Sequence, residues 1–243
     1  MDSRGVRRSR AAEEEESYFI SMADMMVGLV FVFVILLLYF ALQFQQKSKA
    51  LSDAGETRAQ ILRELKADLA RHNLKVEIDT ATGVLRLPAA ILFASGDYRL
   101  SKEGERAVGL VGQSMQQVLP CYTQPRRRTG CPGAVHGIEA IFIEGHTDAD
   151  ALNGSGLLSD NMDLSALRAT NTFRTMRQMA PTLEAMQTSE GRPILSVSGY
   201  GKDRPVANGS SEEAKKQNRR IDLRFLMETP KNEGLSSMLT GQK

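Results

Sequence analysis

Asp24 is the one charged residue between Tyr18 and Gln46, and it opens an uncharged run from Met25 to Leu42. A carboxylate inside a bilayer costs a few kcal/mol on insertion scales, so it is first read as functional, with proton or ion relay the commonest role. A structural reading stays open beside it. Ser21 and Asp24 have capping-box spacing, and an acid near a helix N-terminus is favoured by the macrodipole, so the residue would then only mark the membrane interface. Gly28 and Phe31 share its helical face at i+4 and i+7, and a glycine there lets a partner helix approach closely. The two cysteines, Cys121 and Cys131, lie close together after the run. They suit a local disulfide in an oxidising compartment, since a thiol or metal pair would need ligands that are missing nearby. Three histidines, His72, His136 and His146, are too few and too scattered to suggest a metal, and no cofactor is expected.

The elements that must hold these residues begin with the run itself. Its 18 residues make about 27 Å of helix, and with the flanks that is enough to cross a bilayer. It shows no polar stripe, unlike the helix of a soluble core. Ala41 to Phe44 offers no signal-cleavage site, so the segment reads as an uncleaved anchor. Arg4, Arg7, Arg8 and Arg10 before it nearly balance Lys47, Lys49 and Arg58 after it, so charge alone decides orientation poorly. The cysteines place the later part outside. The expected organisation is a cytoplasmic tail over 1–17, a transmembrane helix over 18–45, a periplasmic linker helix over 46–75, an outer domain over 76–228 and a flexible tail over 229–243.

The whole chain has 243 residues, 42% apolar and 25% charged, with a net charge of +2. That allows one sizeable core and excludes a nucleic-acid binder held by bulk charge. A mean hydropathy of −0.27 excludes a polytopic membrane protein. In the linker, Ile61, Leu62, Leu65 and Leu69 recur at helical spacing. They would pack on a twin helix or on the outer domain, or belong to a plug that lies on the membrane. Beyond it the pattern is α+β: a hairpin over Val76–Ile78 and Val84–Leu87, a helix from Ser101 to Val118, a strand Ile138–Ile143 and a helix Leu164–Met179. Strands Ile194–Val197 and Ile221–Phe225 complete it. Arg126, Arg127 and Arg128 read as a solvated loop tip.

Two resemblances enter on particular residues. Ala23-Asp24-Met25-Met26, followed by Gly28 to Phe33, resembles the single span of flagellar stator B subunits of the MotB type. There an Asp carries the translocated ion, which implies the relay role for Asp24. Four later blocks resemble the OmpA C-terminal domain, which also forms the outer part of those subunits. They are Ile91 to Asp97, Ile143-Glu-Gly-His-Thr-Asp148, Asn161 to Arg168-Ala169, and Gly199-Tyr-Gly201 with Arg204-Pro205 leading to Asn218-Arg-Arg-Ile221. The implied fold is a single N-terminal transmembrane helix followed by an OmpA C-terminal-like α/β sandwich. Glu13 to Glu16 before the span and the cysteine-bearing insertion at 120–137 depart from flagellar subunits, and the chain resembles more closely the B subunits of Zorya anti-phage defence systems.

The OmpA resemblance implies binding to the peptidoglycan stem peptide. A diaminopimelate end presents an ammonium and a carboxylate, so its site needs an anion and a cation at fixed separation. Asp148 would take the ammonium, and Arg168 would grip the carboxylate with its planar fork. Asn161 would assist as an auxiliary amide, with Asn218 and Arg219 lining the same site. The alternative is a closed structural pair between Asp148 and Arg168. Ala94 stands where many relatives carry an acid, and the stretch 149–160 is longer than usual, so stem preference is open. No enzyme is expected, for want of a nucleophile or metal site. The resemblance further implies a homodimer within a multi-span ZorA- or MotA-like subunit, two copies to five, with a flagellar stator or a passive wall tether as the competing functions.

Overall fold

The computed structural model describes residues 3–94, 96–125, 131, 136–152 and 158–229, with side chains from residue 18 onward. The arginine run at 126–128 and the tail from 230 lie outside those residues. Helix α1 extends over Ser3–Arg71. From Tyr18 to Leu42 every side chain is exposed, and the stretch is long and apolar enough to cross a membrane. The chain divides into two compact units, Met1–Ala50 and Leu51–Lys243.

The outer unit takes the end of α1 into its core. Ile61, Leu62, Leu65 and Leu69 are all fully buried, joined by Ala54 and Ala59. The periodic apolar face therefore packs on the domain, and the core starts well before Val76, where the sequence alone suggested the domain would begin. Each such side chain contributes about 1.5–3 kcal/mol when buried. Freeing residues 61–69 as a plug would expose all four, at a cost comparable to the stability of a whole domain. The helix ends because Asn73 adopts φ 61 and the Leu74 N–H returns to the Leu69 carbonyl, a left-handed stop that asparagine tolerates.

Strands β1 (Glu77–Asp79) and β2 (Val84–Pro88) form the expected hairpin, turning at Gly83 with φ 79. Then follow α2 (Ala89–Leu92), α3 (Lys102–Val118), β3 (Ile138–His146), α4 (Asn161–Met179), β4 (Leu195–Gly199), α5 (Glu212–Asn218) and β5 (Arg220–Met227). The five strands lie in the order β1-β2-β5-β3-β4, antiparallel except for the β3–β4 pair. This is an α+β layer arrangement, with α4 packed on β3 and β4 and against α3. Helix α4 begins at Asn161, not Leu164, because Asp160 caps it: its carboxylate accepts from the Met162 and Asp163 N–H groups.

Two glycines bring α4 onto the strand ends. A Cβ at Gly145 would meet the Ser165 carbonyl oxygen at 2.0 Å, and one at Gly199 would meet the Ala166 nitrogen at 2.7 Å. Only glycine permits that approach. Since Gly145 faces α4, the alternation of a strand sends Glu144 and His146 to the opposite face. Strand β3 runs past Ile143 because these polar residues are neutralised across the sheet. Arg224 grips both Glu144 oxygens at 2.9 Å, and Asp222 accepts from Arg86 at 3.1 Å and Arg220 at 2.9 Å.

Candidate functional site

The end of β3 delivers Asp148. The Thr147 N–H donates to the Gly201 carbonyl and the Gly201 N–H to the Ser165 hydroxyl, which ties the strand end, the 200–203 turn and the first turns of α4 together. Asp148 is nine-tenths buried. Its carboxylate accepts the Asp150 N–H at 3.3 Å and an ion-paired hydrogen bond from Arg219 at 2.5 Å.

Arg168, seven residues into α4, is also buried, at 4% exposure. Its Nε donates to the Asp97 carbonyl at 2.9 Å, and its guanidinium carbon lies 5.0 Å from the Phe93 ring centre. Among the described residues, no carboxylate comes within ion-pair distance, 4.0 Å, of Arg168. Burial draws its pKa down to about 10, against the opposing pull of nearby Asp148. A desolvated guanidinium without a carboxylate partner is a prepared anion receptor. The closed Asp148–Arg168 pair is thus not formed, and Asp148 is held by Arg219 instead.

Asn161 sits at the start of α4, its amide donating to the Asp150 carbonyl at 2.7 Å and the Asp148 carbonyl at 3.4 Å. It orients the loop that carries the acid. Asn218 departs from the expected lining role. Its oxygen accepts from the Val206 and Ala207 N–H groups and its nitrogen donates to the Ala207 carbonyl, so its oxygen and one of its two N–H donors fasten that loop. Arg219 does reach the site, from the end of α5. Ala94 brings no acid there, and of the longer loop, residues 153–157 lie outside the described set. Beside the acid, a cleft of about 460 Å³ opens between Ala149, Asn161, Met162, Gly201 and Lys202.

An ionic layer that residue patterning did not reveal lies under this site. His146 is 1% exposed, stacks on Tyr200 at 5.4 Å, and neither ring nitrogen has a hydrogen-bond partner. Glu144 and Asp222 stand 3.8 and 3.6 Å away. The three could geometrically surround a metal, yet Arg86, Arg220 and Arg224 already outnumber the two carboxylates. A dication would have to displace guanidiniums that already occupy both carboxylates, so the donor set as it is paired does not fit a metal. Burial holds His146 below its ordinary pKa, partly opposed by Glu144. For Glu144 burial pushes the pKa up, but His146 and the Arg224 fork outweigh it and bring the group to about 2.

Cys121 and Cys131 are joined in a disulfide. Asp24 lies on α1 among exposed apolar neighbours. No hydrogen bond or ion pair engages its side chain among the described residues, and a Cβ added at Gly28 would meet nothing within 4 Å.

No protein-family model matches the chain. It is 24% identical over 229 residues to Zorya protein ZorB of Escherichia coli O139:H28, covering 91% of this chain and 85% of that one. With motility protein B of Bacillus subtilis the identity is 25% over 169 residues, 70% of this chain and 54% of the relative. Among solved structures, a MotB-like protein from Desulfovibrio vulgaris aligns with a TM-score of 0.51 at 21% identity, over 74% of this chain and 95% of that one; it shares the fold. In sequence the chain is similar to ZorB over nearly its whole length and to motility protein B over 70% of it, and in fold it is similar to the MotB-like protein.

Proposed function

We propose that this chain is the B-type subunit of a proton-driven motor complex in the inner membrane, anchored to peptidoglycan and acting in anti-phage defence. The observation that carries the reading is a single acid in an otherwise uncharged span, on the same chain as a buried guanidinium awaiting a carboxylate. A tether would need the second feature but not the first. One charge falling through 100 mV releases about 2.3 kcal/mol, enough to drive a conformational step if one part is held still. Asp24 is the carrier and the wall is the fixed point.

A single span cannot enclose a path for ions, so a multi-span subunit of the ZorA or MotA kind surrounds this one, with two copies of this chain to five of the partner. The N-terminus is cytoplasmic and the disulfide-bearing unit periplasmic, consistent with an oxidising compartment for Cys121 and Cys131. In the outer site, Arg168 takes the carboxylate of a stem-peptide diaminopimelate and Asp148 its ammonium, with Asn161 holding the loop. The defence role rests on the similarity to ZorB, which spans more of this chain than the similarity to motility protein B. The test is co-purification of the tagged full chain with its genomic neighbours, followed by sedimentation with sacculi. A multi-span partner in excess of this chain, and a complex that sediments, are expected. A chain that sediments but brings no multi-span partner would reduce the function to a tether.

A further inference from the structure

The acid meant for the ligand ammonium already holds a cation of its own chain. Arg219 Nη1 lies 2.5 Å from Asp148 Oδ2, while its other amine, Nη2, stands 3.9 Å from Glu212. Lys215 bridges Glu212 at 3.5 Å and Asp150 at 2.8 Å, and the Asp150 N–H returns to Asp148. The charges therefore close a ring: Asp148, Arg219, Glu212, Lys215, Asp150. Within it the two ends of the Arg219 fork have unequal partners. Asp148 is almost enclosed, with 11% of its side chain exposed, whereas Glu212 is 74% exposed and faces water.

The geometry points to Arg219 as a displaceable latch on the ammonium subsite, one that moves from Asp148 to Glu212 when a zwitterionic ligand enters. This rests on the wall-binding reading above. A ligand bearing an ammonium alone meets an occupied acid and the repulsion of two guanidiniums, Arg168 and Arg219. A ligand bearing a carboxylate as well first satisfies Arg168, which has no carboxylate partner among the described residues, and its ammonium then competes for Asp148 at short range. Glu212 receives the released arginine, with which it already makes a long ion pair at 3.9 Å, so the displaced charge is not left unpaired. The latch thereby selects for a free amino acid end, with both groups present, over a simple amine.

Calorimetric titration of the full chain in detergent with meso-diaminopimelate tests this. Arg219→Gln removes the competitor and should bind about fivefold tighter, the scale of a partly exposed charge pair. Glu212→Gln removes the receiving acid and should bind about threefold more weakly. The double variant should match Arg219→Gln alone, because Glu212 acts only through Arg219. The latch is overturned if Arg219→Gln binds as the parent does or more weakly, which would make Arg219 inert or a direct ligand group. Arg168→Ala separates the two claims. If it abolishes binding while Arg219→Gln weakens it, the latch alone fails; if the parent chain binds no diaminopimelate, the wall-binding reading fails with it.

Discussion

Asp24 and Asp148 are carboxylates of one chain whose surroundings differ in kind. Around Asp148 the chain supplies everything: a strand end, a capped helix, a guanidinium in contact and another nearby. Around Asp24 it supplies only an exposed apolar helix surface. On the proposed reading, the wall-binding site is a receptor built from this chain's own residues. On the same reading Asp24 is half of a site, which lipid and other chains complete. Losses at the first should therefore be local and graded, and losses at the second should be losses of the whole machine.

The sharpest expected effect follows from that difference. Asp24→Asn keeps size and hydrogen bonding but cannot titrate, so expression, assembly and sacculus binding should persist while protection against phage disappears. Helix α1 runs unbroken through Asp24, so Asp24 caps no helix end, and if its role were merely polar, asparagine would serve nearly as well. Protection by the Asn variant at the parental level would thus collapse the contrast. At the outer site, Arg168→Ala and Asp148→Ala each leave one end of a zwitterion unmatched. A buried charged contact is worth about 2–5 kcal/mol, so sedimentation with sacculi should be abolished, with thermal melting still cooperative. Unchanged sedimentation of both variants would remove the receptor.

How far the outer unit reaches is the next point of contrast. Leu65→Ala should cost about 2–5 kcal/mol of stability, as for a buried leucine elsewhere in a core, whereas Leu51→Ala, at an exposed position, should be near neutral. Equal, negligible effects on denaturant midpoints would return residues 61–69 to a free linker. The Cys121–Cys131 bond should contribute about 2–3 kcal/mol. Intact mass after alkylation, with and without reductant, should differ by two blocked thiols. Two thiols free before reduction would contradict the periplasmic placement of the outer unit.

The smallest effect is a pH slope. Burial holds His146 below the ordinary histidine value of 6.5, so the unfolded chain binds a proton that the native one refuses. Stability should fall as pH drops below about 6.5, and His146→Gln should flatten that part of the curve. Glu144 is depressed from 4.5 to about 2. Its contribution is present above pH 4.5 and lost as pH falls towards 2, and Glu144→Gln should remove that acid limb. Chemical denaturation at stepped pH reads both, and coincident curves for His146→Gln and the parent between pH 6.5 and 5 would refute the histidine assignment.

Much of this was legible in the residues, and the exceptions have physical causes. The long apolar helix needed only an uncharged run, whereas Asp148 and Arg168 were singled out by the resemblance to the OmpA C-terminal blocks. The amphipathic face at Ile61, Leu62, Leu65 and Leu69 announced a partner, but periodicity does not say which surface covers it. Helix α5 escaped notice because Glu-Glu-Ala-Lys-Lys-Gln-Asn carries one apolar residue and is held by the Ser211 cap on the Ala214 N–H. The Glu144–Arg224 fork was invisible because alternating charges along a strand look solvated until the register brings them onto one face, where Glu144 stands opposite Asp222 and diagonal to Arg224. For the same reason the hold of Arg219 on Asp148 could not be read from residues 71 positions apart.

Proton flux is the most direct test of the claim that one acid in the membrane drives a machine held by the wall. The complex of the full chain with its multi-span partner would be reconstituted in liposomes under a potassium-valinomycin potential and read with a trapped pH dye. Parent and Arg168→Ala complexes should both conduct when opened, because the wall contact holds the machine and does not carry the ion, and the Asp24→Asn complex should not. Flux through Asp24→Asn equal to the parent would contradict the account.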